Sequence, residues 1–224
     1  MLIIIYSIVA TVLGVVVMAM LAYPLSRPNY KYKKIATFFI FFTMLFSGGL
    51  IPTYIWITRY LHLGDTIWVY ILPCLVNAFH VIVIRSFFQG LPQALMESAK
   101  IDGASELQTF FKIVMPLSKP VIATISLLTL LSRWNDWNTA LIYIKSSNLY
   151  SLQYLLQKIL REAEFVKNMA ESSPVAGVDL DLSNLPSVTI RFAMCMVAAG
   201  PMLIIFPFFQ KYFAKGLTVG AVKG

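Results

Sequence analysis

Polar side chains inside otherwise apolar segments are the residues of this chain that could do chemistry. Asn77 and His80 lie three positions apart in one such segment, about one turn after Pro73. On a helix this spacing places both on one face, where they either line an aqueous solute path or form a hydrogen bond between helices. His62 is the only other histidine, and no cluster of Cys, His and carboxylate residues occurs, so a metal site is not expected.

A second polar group lies where another apolar segment ends. It consists of Trp134, Asn135 and Asp136, followed by Trp137 and Asn138. Aromatic rings beside hydrogen-bonding groups suit sugars, whose ring faces are apolar and whose rims carry hydroxyls. Trp is also common at any membrane interface. The group therefore either contacts a sugar or anchors the chain at the interface. No arrangement typical of a catalytic site is present.

The polar stretch from residue 89 to 115 is the most informative segment of the sequence. Pro92 suits the first turn of a helix, where its missing N–H costs nothing, and residues 93–101 are acceptable helix formers. Gly103 can end that helix by adopting a positive φ. The pattern therefore predicts a short helix followed by a tight bend at Asp102 and Gly103.

A second helix is expected directly after the bend. Ser105 and Gln108 have the spacing of a capping box, and the helix should continue until Pro116 perturbs it. Small residues would let the backbone of another protein approach closely: Ala94, Ser98, Ala99 and Ala104. From periodicity alone, a surface loop lying against a membrane remains an alternative.

The composition of the chain indicates the environment of the elements that position these residues. Only 12% of the 224 residues are charged and 58% are hydrophobic, whereas soluble domains carry about 25% charged residues. The chain is therefore expected to lie in a membrane, with little material left for a soluble enzyme domain. Cys74 and Cys195 both fall in apolar segments, where each is expected to act as a small apolar side chain.

Five membrane-spanning helices are predicted, since each needs about 20 mostly apolar residues. The first ends at Pro24, and close helix packing is the preferred explanation for Gly48, Gly49 and Pro52 in the second. A further helix is expected over residues 149–169. The predicted spans are residues 2–23, 35–58, 66–88, 116–131 and 187–209.

The basic residues predict the orientation of these spans. Most of the 18 Lys and Arg residues fall in residues 24–34, 85–119 and 211–224, and the positive-inside rule places these segments in the cytoplasm. The net charge of +8 then reports topology, and a nucleic-acid partner is not needed to explain it. Arg191 lies inside the fifth span, where it could snorkel outward or pair with an external acid.

The polar stretch carries a resemblance to a known family. The motifs Glu97-Ser98-Ala99 and Asp102-Gly103-Ala104, with Phe110 and Pro116-Leu117, resemble the EAA loop of ABC importer permeases. Ser98 stands where that family more usually has Ala. The resemblance extends over nearly the whole chain and is closest to sugar-type permeases of the oligosaccharide and aldouronate branch. It includes Ala22 to Arg27, Met44 to Tyr54, Trp134-Asn135 and Gln210 to Gly224.

The resemblance implies an all-α, polytopic fold like that of a type I ABC importer, with residues 1–224 as one permease domain. Residues 89–116 would be its cytoplasmic coupling loop and residues 133–186 an extracellular loop. Six residues would contact the ATPase: Glu97, Ser98, Ala99, Asp102, Gly103 and Ala104. Candidates for the substrate path are Asn77, His80, Trp134, Asn135 and Asp136.

By the same resemblance, the chain would be a non-catalytic subunit in a bacterial cell membrane. Its expected partners are a second related permease, two copies of a cytoplasmic ATPase and an extracellular solute-binding protein. ATP and Mg would bind to the ATPase, because no Gly-rich loop ending in Gly-Lys-Ser/Thr occurs here. The expected cargo is an oligosaccharide. The alternatives are a permease for a peptide or phosphate, a membrane-embedded enzyme and a secondary transporter.

One departure from the family concerns the number of spans. Family members usually have six spans and a cytoplasmic N-terminus, whereas five spans place the N-terminus of this sequence outside. A missing first span is therefore expected, either through a start further upstream or through N-terminal shortening.

Overall fold

The computed structural model describes residues 2–172 and 192–208, and these residues form helices joined by turns and loops, with no strand. The longest of the described helices, α1 (Leu2–Ser26), buries one face along its length. It does not end at Pro24 as predicted, but continues for two residues. The hydroxyl of Ser26 donates to the carbonyl of Tyr23 at 2.7 Å, and Arg85 Nε donates to the carbonyl of Leu25 at 3.1 Å. These donors satisfy carbonyl groups at the helix end.

The predicted second span is broken in the middle. Helix α2 (Lys33–Leu45) is followed by α3 (Leu50–Ile55) and a π-helical turn, Trp56–Tyr60, and the two halves are bent by 112°. Gly49 precedes α3 with φ +85°, and no atom lies within 4 Å of a Cβ built on it. Close packing within this chain is therefore the wrong explanation for Gly49, because its backbone conformation at the bend is what requires glycine.

The predicted third span is also composite. Two 3-10 turns, Ile67–Tyr70 and Leu72–Cys74, precede α4 (Ala78–Gln89), with a bend of 45°. Gly14 of α1 packs against this region, and a Cβ built on it would lie 3.1 Å from the carbonyl oxygen of Leu75. The absence of a side chain at Gly14 thus lets the two backbones approach closely.

The segment after α4 forms a chain of short helices before the next long one. These are α5 (Gln93–Ile101), α6 (Glu106–Thr109), a π-helical turn (Phe110–Val114), α7 (Met115–Leu117) and α8 (Lys119–Trp134). Pro116 was expected to end the second helix, but the break falls at Ser118, where the chain bends by 81°. Pro116 fits because it lies in the first turn of α7.

The last described helices are α9 (Asn138–Tyr143), α10 (Leu152–Ser172) and α11 (Phe192–Phe208), with a 3-10 turn at Ser147–Leu149. The helix expected at residues 149–169 thus begins and ends three residues later. Among the described residues, Ile3–Ser26 is long and apolar enough to cross a membrane by itself, and up to four spans result if each bent pair is one span. Helix α11 is apolar but shorter, so the five spans stay a prediction.

Two apolar clusters hold the bundle at its two ends. One joins the C-terminal half of α1 to α4, α5 and α8 and includes Met18, Ala22, Ile84, Met96, Phe110, Val114 and Ile125. The other surrounds the N-terminal half of α1 and includes Tyr6, Ala10, Tyr70, Trp134 and Ala140. The polar stretch after α4 therefore lies at the same end as residues 24–34, as the distribution of basic residues predicts.

A carboxylate joins the two loops at the opposite end of the bundle. Asp65, with φ +56°, accepts hydrogen bonds of 2.9 Å from the backbone amides of Lys145 and Ser146 and one of 2.6 Å from the Ser146 hydroxyl. Its own amide donates to the carbonyl of Tyr143 at 2.9 Å. The loop before the third span and the loop after α9 are thus held together.

Candidate functional site

The bend between α5 and α6 is a regular helix ending. Gly103 has φ +79°, its amide donates to the carbonyl of Lys100 at 3.1 Å, and the amide of Ala104 donates to the carbonyl of Ala99 at 2.9 Å. This pair of bonds is the Schellman motif, in which glycine supplies the left-handed residue. The predicted helix at residues 93–101 and the bend at Gly103 are confirmed.

A capping box starts the second helix, as its sequence predicts. Ser105 Oγ accepts from the amide of Gln108 at 3.2 Å, and the Gln108 side chain accepts from the amide of Ser105 at 3.0 Å. Local signals at both sides of the bend therefore fix its geometry. We refer to residues 93–109 as the docking turn.

The docking turn presents only part of the predicted contact set to a partner. Glu97, Ser98, Asp102 and Gly103 are exposed, and the Glu97 side chain forms no hydrogen bond or ion pair with other residues that the structure describes. Ala99 is only 7% exposed. Ala99 thus packs inside its own chain in this conformation, and its contact with a partner stays a prediction.

Glu106, the first residue of α6, is a further residue of this site that the sequence pattern did not predict. Its Oε1 lies 2.7 Å from Lys100 Nζ, and its Oε2 accepts a 2.7 Å hydrogen bond from the hydroxyl of Tyr23. The hydrogen bond from Lys100, and then that from Tyr23, lower the pKa of the Glu106 carboxyl. The only local signal was an acid at a helix N-terminus, where the helix dipole favours negative charge.

Arg27 completes this cluster from the loop after α1. Its guanidinium lies 4.4 Å from the centre of the Tyr23 ring and 3.8 Å from Glu106 Oε2. It also donates to the Tyr23 hydroxyl and the Met96 sulfur. The end of α1 is thus connected to both helices of the docking turn.

A cavity of about 520 Å³ lies between α1 and the docking turn. Its walls combine apolar, basic and acidic side chains, including Met20, Tyr23, Arg27, Tyr30, Met96, Glu97, Lys100 and Glu106. The docking turn therefore packs on the bundle through its buried side chains, and the side that faces α1 also borders this cavity.

The structure separates the roles of Asn77 and His80. Asn77 does not share a helical face with His80, because it caps α4, and its Oδ1 accepts from the amide of His80 at 3.1 Å. The His80 ring is half-buried, with Nδ1 3.5 Å from the hydroxyl of Thr129 on α8. A contribution of either residue to a substrate path stays a prediction.

The polar group that begins with Trp134, the last residue of α8, mainly forms contacts within the chain. Trp134 is only 3% exposed, and its indole N–H donates to the carbonyl of Ala198 at 2.8 Å. Asp136 accepts from the Thr139 amide at 3.0 Å and from its hydroxyl at 2.7 Å. Trp134 and Asp136 thus form contacts inside the chain, whereas Asn135 is exposed. A contribution of these three residues to a substrate path stays a prediction.

Several other features of the sequence lie outside the part of the chain that the structure describes. Arg191, residues 173–186 and the C-terminal lysines lie outside the described residues. Within the described part of the chain, no group of three or more His, Cys, Asp or Glu could hold a metal ion.

The whole fold matches a solved transporter. A bacterial ABC transporter involved in the import of the acidic polysaccharide alginate contains a chain with a TM-score of 0.79 and 29% identity, covering 95% of this chain and 73% of that one. The fold is thus that of a type I ABC importer permease. The chain belongs to the family described as binding-protein-dependent transport system inner membrane component, which matches residues 2–219.

Two curated relatives match nearly the whole of this chain, which spans about 70% of their own length. The chain is 40% identical to the polygalacturonan/rhamnogalacturonan transport system permease protein YtcP of Bacillus subtilis, over 97% of this chain and 74% of that protein. It is 34% identical to the arabinooligosaccharides transport system permease protein AraQ of the same species, over 96% and 69%. This chain is therefore a membrane transport permease.

Proposed function

We propose that this chain is the translocation subunit of an ATP-driven importer that carries an oligosaccharide across the cell membrane. The observation that carries the proposal is the ordered, exposed docking turn at one end of a bundle with the fold of a polysaccharide importer. The sugar-transport relatives support an oligosaccharide as the cargo.

The docking turn is the part of the chain that a cytoplasmic ATPase would contact. Exposed Glu97, Ser98 and Asp102 offer polar contacts, and Gly103 leaves room for close backbone approach. ATP and Mg²⁺ bind to the ATPase in this proposal. The permease contributes movement and performs no covalent chemistry.

Movement of the turn reaches the bundle through packing. Met96, Phe110 and Val114 of the docking turn and the residues after it are buried among α1, α4 and α8. Because packed interfaces move as rigid bodies, a displaced turn would tilt these helices together. The tilt would expose the solute path first to one side of the membrane and then to the other.

The proposed complex also contains a second, related permease, two copies of the ATPase and an extracellular solute-binding protein. Helix α2 has no buried residue, and its apolar side chains include the exposed Phe38, Phe39 and Phe42. Such a helix suits contact with lipid or with another permease.

Uptake into proteoliposomes tests the proposal. The chain is reconstituted with its second permease, ATPase and binding protein, and uptake of labelled oligogalacturonides and arabinooligosaccharides is compared with that of a peptide and of phosphate. We expect ATP-dependent uptake of one oligosaccharide class. Uptake of the peptide or phosphate alone, or sugar uptake without the ATPase, would contradict the proposal.

A further inference from the structure

We propose that Glu106 and Tyr23 form a polar link that, in addition to the apolar packing, passes movement of the docking turn to α1, with Arg27 holding the Tyr23 hydroxyl in position. The inference rests on the proposed function and deepens it, because it names positioning residues for the coupling step. The Glu106 side chain is 55% exposed on the docking turn, whereas Tyr23 belongs to α1 and Arg27 to the loop after it.

The two carboxylate oxygens of Glu106 contact different residues. Oε1 lies 2.7 Å from Lys100, which belongs to the docking turn itself. Oε2 accepts a 2.7 Å hydrogen bond from Tyr23, which belongs to α1 and lies 83 positions earlier in the sequence. The second contact joins the docking turn to α1, and Arg27, in the loop after α1, lies 3.8 Å from the same Oε2.

Arg27 restricts the position of the Tyr23 hydroxyl. It donates a hydrogen bond to that oxygen and places its guanidinium 4.4 Å from the centre of the same ring. The Tyr23 hydroxyl therefore accepts from Arg27 and donates to Glu106. A hydroxyl with both a donor and an acceptor partner has a defined direction.

The Tyr23 ring is fixed independently of its hydroxyl. Tyr23 is 9% exposed, and its ring centre lies 5.2 Å from that of Phe110. Substitution by Phe preserves the ring and its packing and removes only the oxygen. Tyr23→Phe therefore separates the polar link from the apolar contact between the same elements.

Tyr32 supplies a matched control for this substitution. It lies in the loop after α1, it is 55% exposed, and its hydroxyl makes no hydrogen bond with the described residues. Tyr32→Phe thus removes a tyrosine hydroxyl from the same end of the bundle without touching Glu106.

The test measures the number of sugar molecules transported per ATP hydrolysed in proteoliposomes that contain the complete complex. We expect Tyr23→Phe and Glu106→Ala each to lower this ratio by about threefold or more, the size of one hydrogen bond of ordinary strength. The double variant should be no worse than the stronger single variant, because both remove the same link. Glu106→Gln, which keeps an oxygen able to accept from Tyr23, should retain more of the ratio than Glu106→Ala.

Lys100→Met removes the other contact of the same carboxylate. We expect it to lower the ratio less than Tyr23→Phe, because an ion pair between two half-exposed side chains contributes little. A Lys100→Met complex that is uncoupled as strongly as Tyr23→Phe would overturn the inference, since the charge on the turn would then matter and the link to α1 would not.

Failure of the inference and failure of the proposed function give different results. If the wild type shows no ATP-dependent sugar uptake, the proposed function is wrong. If the wild type and Tyr32→Phe couple normally and Tyr23→Phe and Glu106→Ala do so too, the inference alone is wrong. Should Tyr23→Phe fail to assemble, Glu106→Ala decides, because its side chain is 55% exposed and its removal leaves the packing intact.

Discussion

The amide of Gly103 donates a 3.1 Å hydrogen bond to the carbonyl of Lys100, and Gly103 adopts φ +79° in forming it. This contact ends α5 and directs the chain into α6. A Cβ at position 103 would meet no atom within 4 Å. The requirement for glycine is therefore conformational and is independent of the space around the residue.

Two substitutions at position 103 should have opposite outcomes. Gly103→Pro cannot adopt the positive φ and lacks the amide donor, so we expect it to abolish sugar-stimulated ATP hydrolysis by the reconstituted complex. Gly103→Asn should keep most of the activity, because Asn tolerates the left-handed conformation at a cost of about 1 kcal/mol. Membrane insertion of both variants is checked by their yield in purified membranes. Equal activity of the two variants would contradict this account of the bend.

The Asp65 carboxylate should stabilise the opposite end of the bundle. We expect Asp65→Asn to lower the thermal unfolding midpoint of the detergent-purified protein at pH 7, because the contacts with Ser146 and Lys145 are weakened. Asp102→Asn, which changes an exposed carboxyl at the other end, is the control and should leave the midpoint unchanged.

The stabilisation by Asp65 should depend on pH. The hydrogen bond from the Ser146 hydroxyl, followed by those from the backbone amides, lowers the pKa of the Asp65 carboxyl. The stabilisation is therefore complete above the unfolded-state value of about 4 and is lost as the pH falls through the lowered native value. The difference in unfolding midpoint between wild type and Asp65→Asn should narrow below about pH 4. A constant difference down to pH 2 would contradict the assignment.

Gly14 should not tolerate a side chain. We expect Gly14→Val to lower the unfolding midpoint, because a Cβ 3.1 Å from the Leu75 carbonyl pushes α1 away from the third span. Gly200 of α11 provides the comparison, since a Cβ built on it would meet no atom within 4 Å. Gly200→Val should have little effect on the same measurement. A larger loss at Gly200 than at Gly14 would argue against this packing.

Trp134 should act in stability and not in sugar recognition. Trp134→Phe keeps an aromatic ring but loses the indole donor to Ala198, at a cost of about 1 kcal/mol. We expect a lower unfolding midpoint and an unchanged KM for sugar-dependent transport. A raised KM with normal stability would support a place for Trp134 in the substrate path instead.

Sequence signals predicted the docking turn because they are local. The helix after Pro92, the positive φ of Gly103 and the capping box of Ser105 all depend on residues within a few positions of one another. The same reasoning placed the end of α1 at Pro24. It was wrong there because the donor from Arg85, which satisfies the carbonyl of Leu25, comes from another helix.

Contacts between residues that are far apart in the sequence could not be predicted from local patterns. Glu106 looked like an ordinary acid in a first helical turn, and only the fold brings Tyr23 to its carboxylate. Trp134 looked like an interfacial aromatic, yet α11 covers it and accepts its N–H. Glu97, which the family motif emphasises, is exposed and available, while Ala99 of the same motif is enclosed.

Photo-crosslinking tests most directly whether the docking turn binds the ATPase. A photoreactive amino acid is placed at Ser98 on the exposed face of the turn or at Asn148, which is exposed at the opposite end of the bundle. Each variant is irradiated in the reconstituted complex, and adducts are identified by mass spectrometry. We predict an ATPase adduct from position 98 and none from position 148. An ATPase adduct from position 148 but not from position 98 would contradict the proposed docking surface.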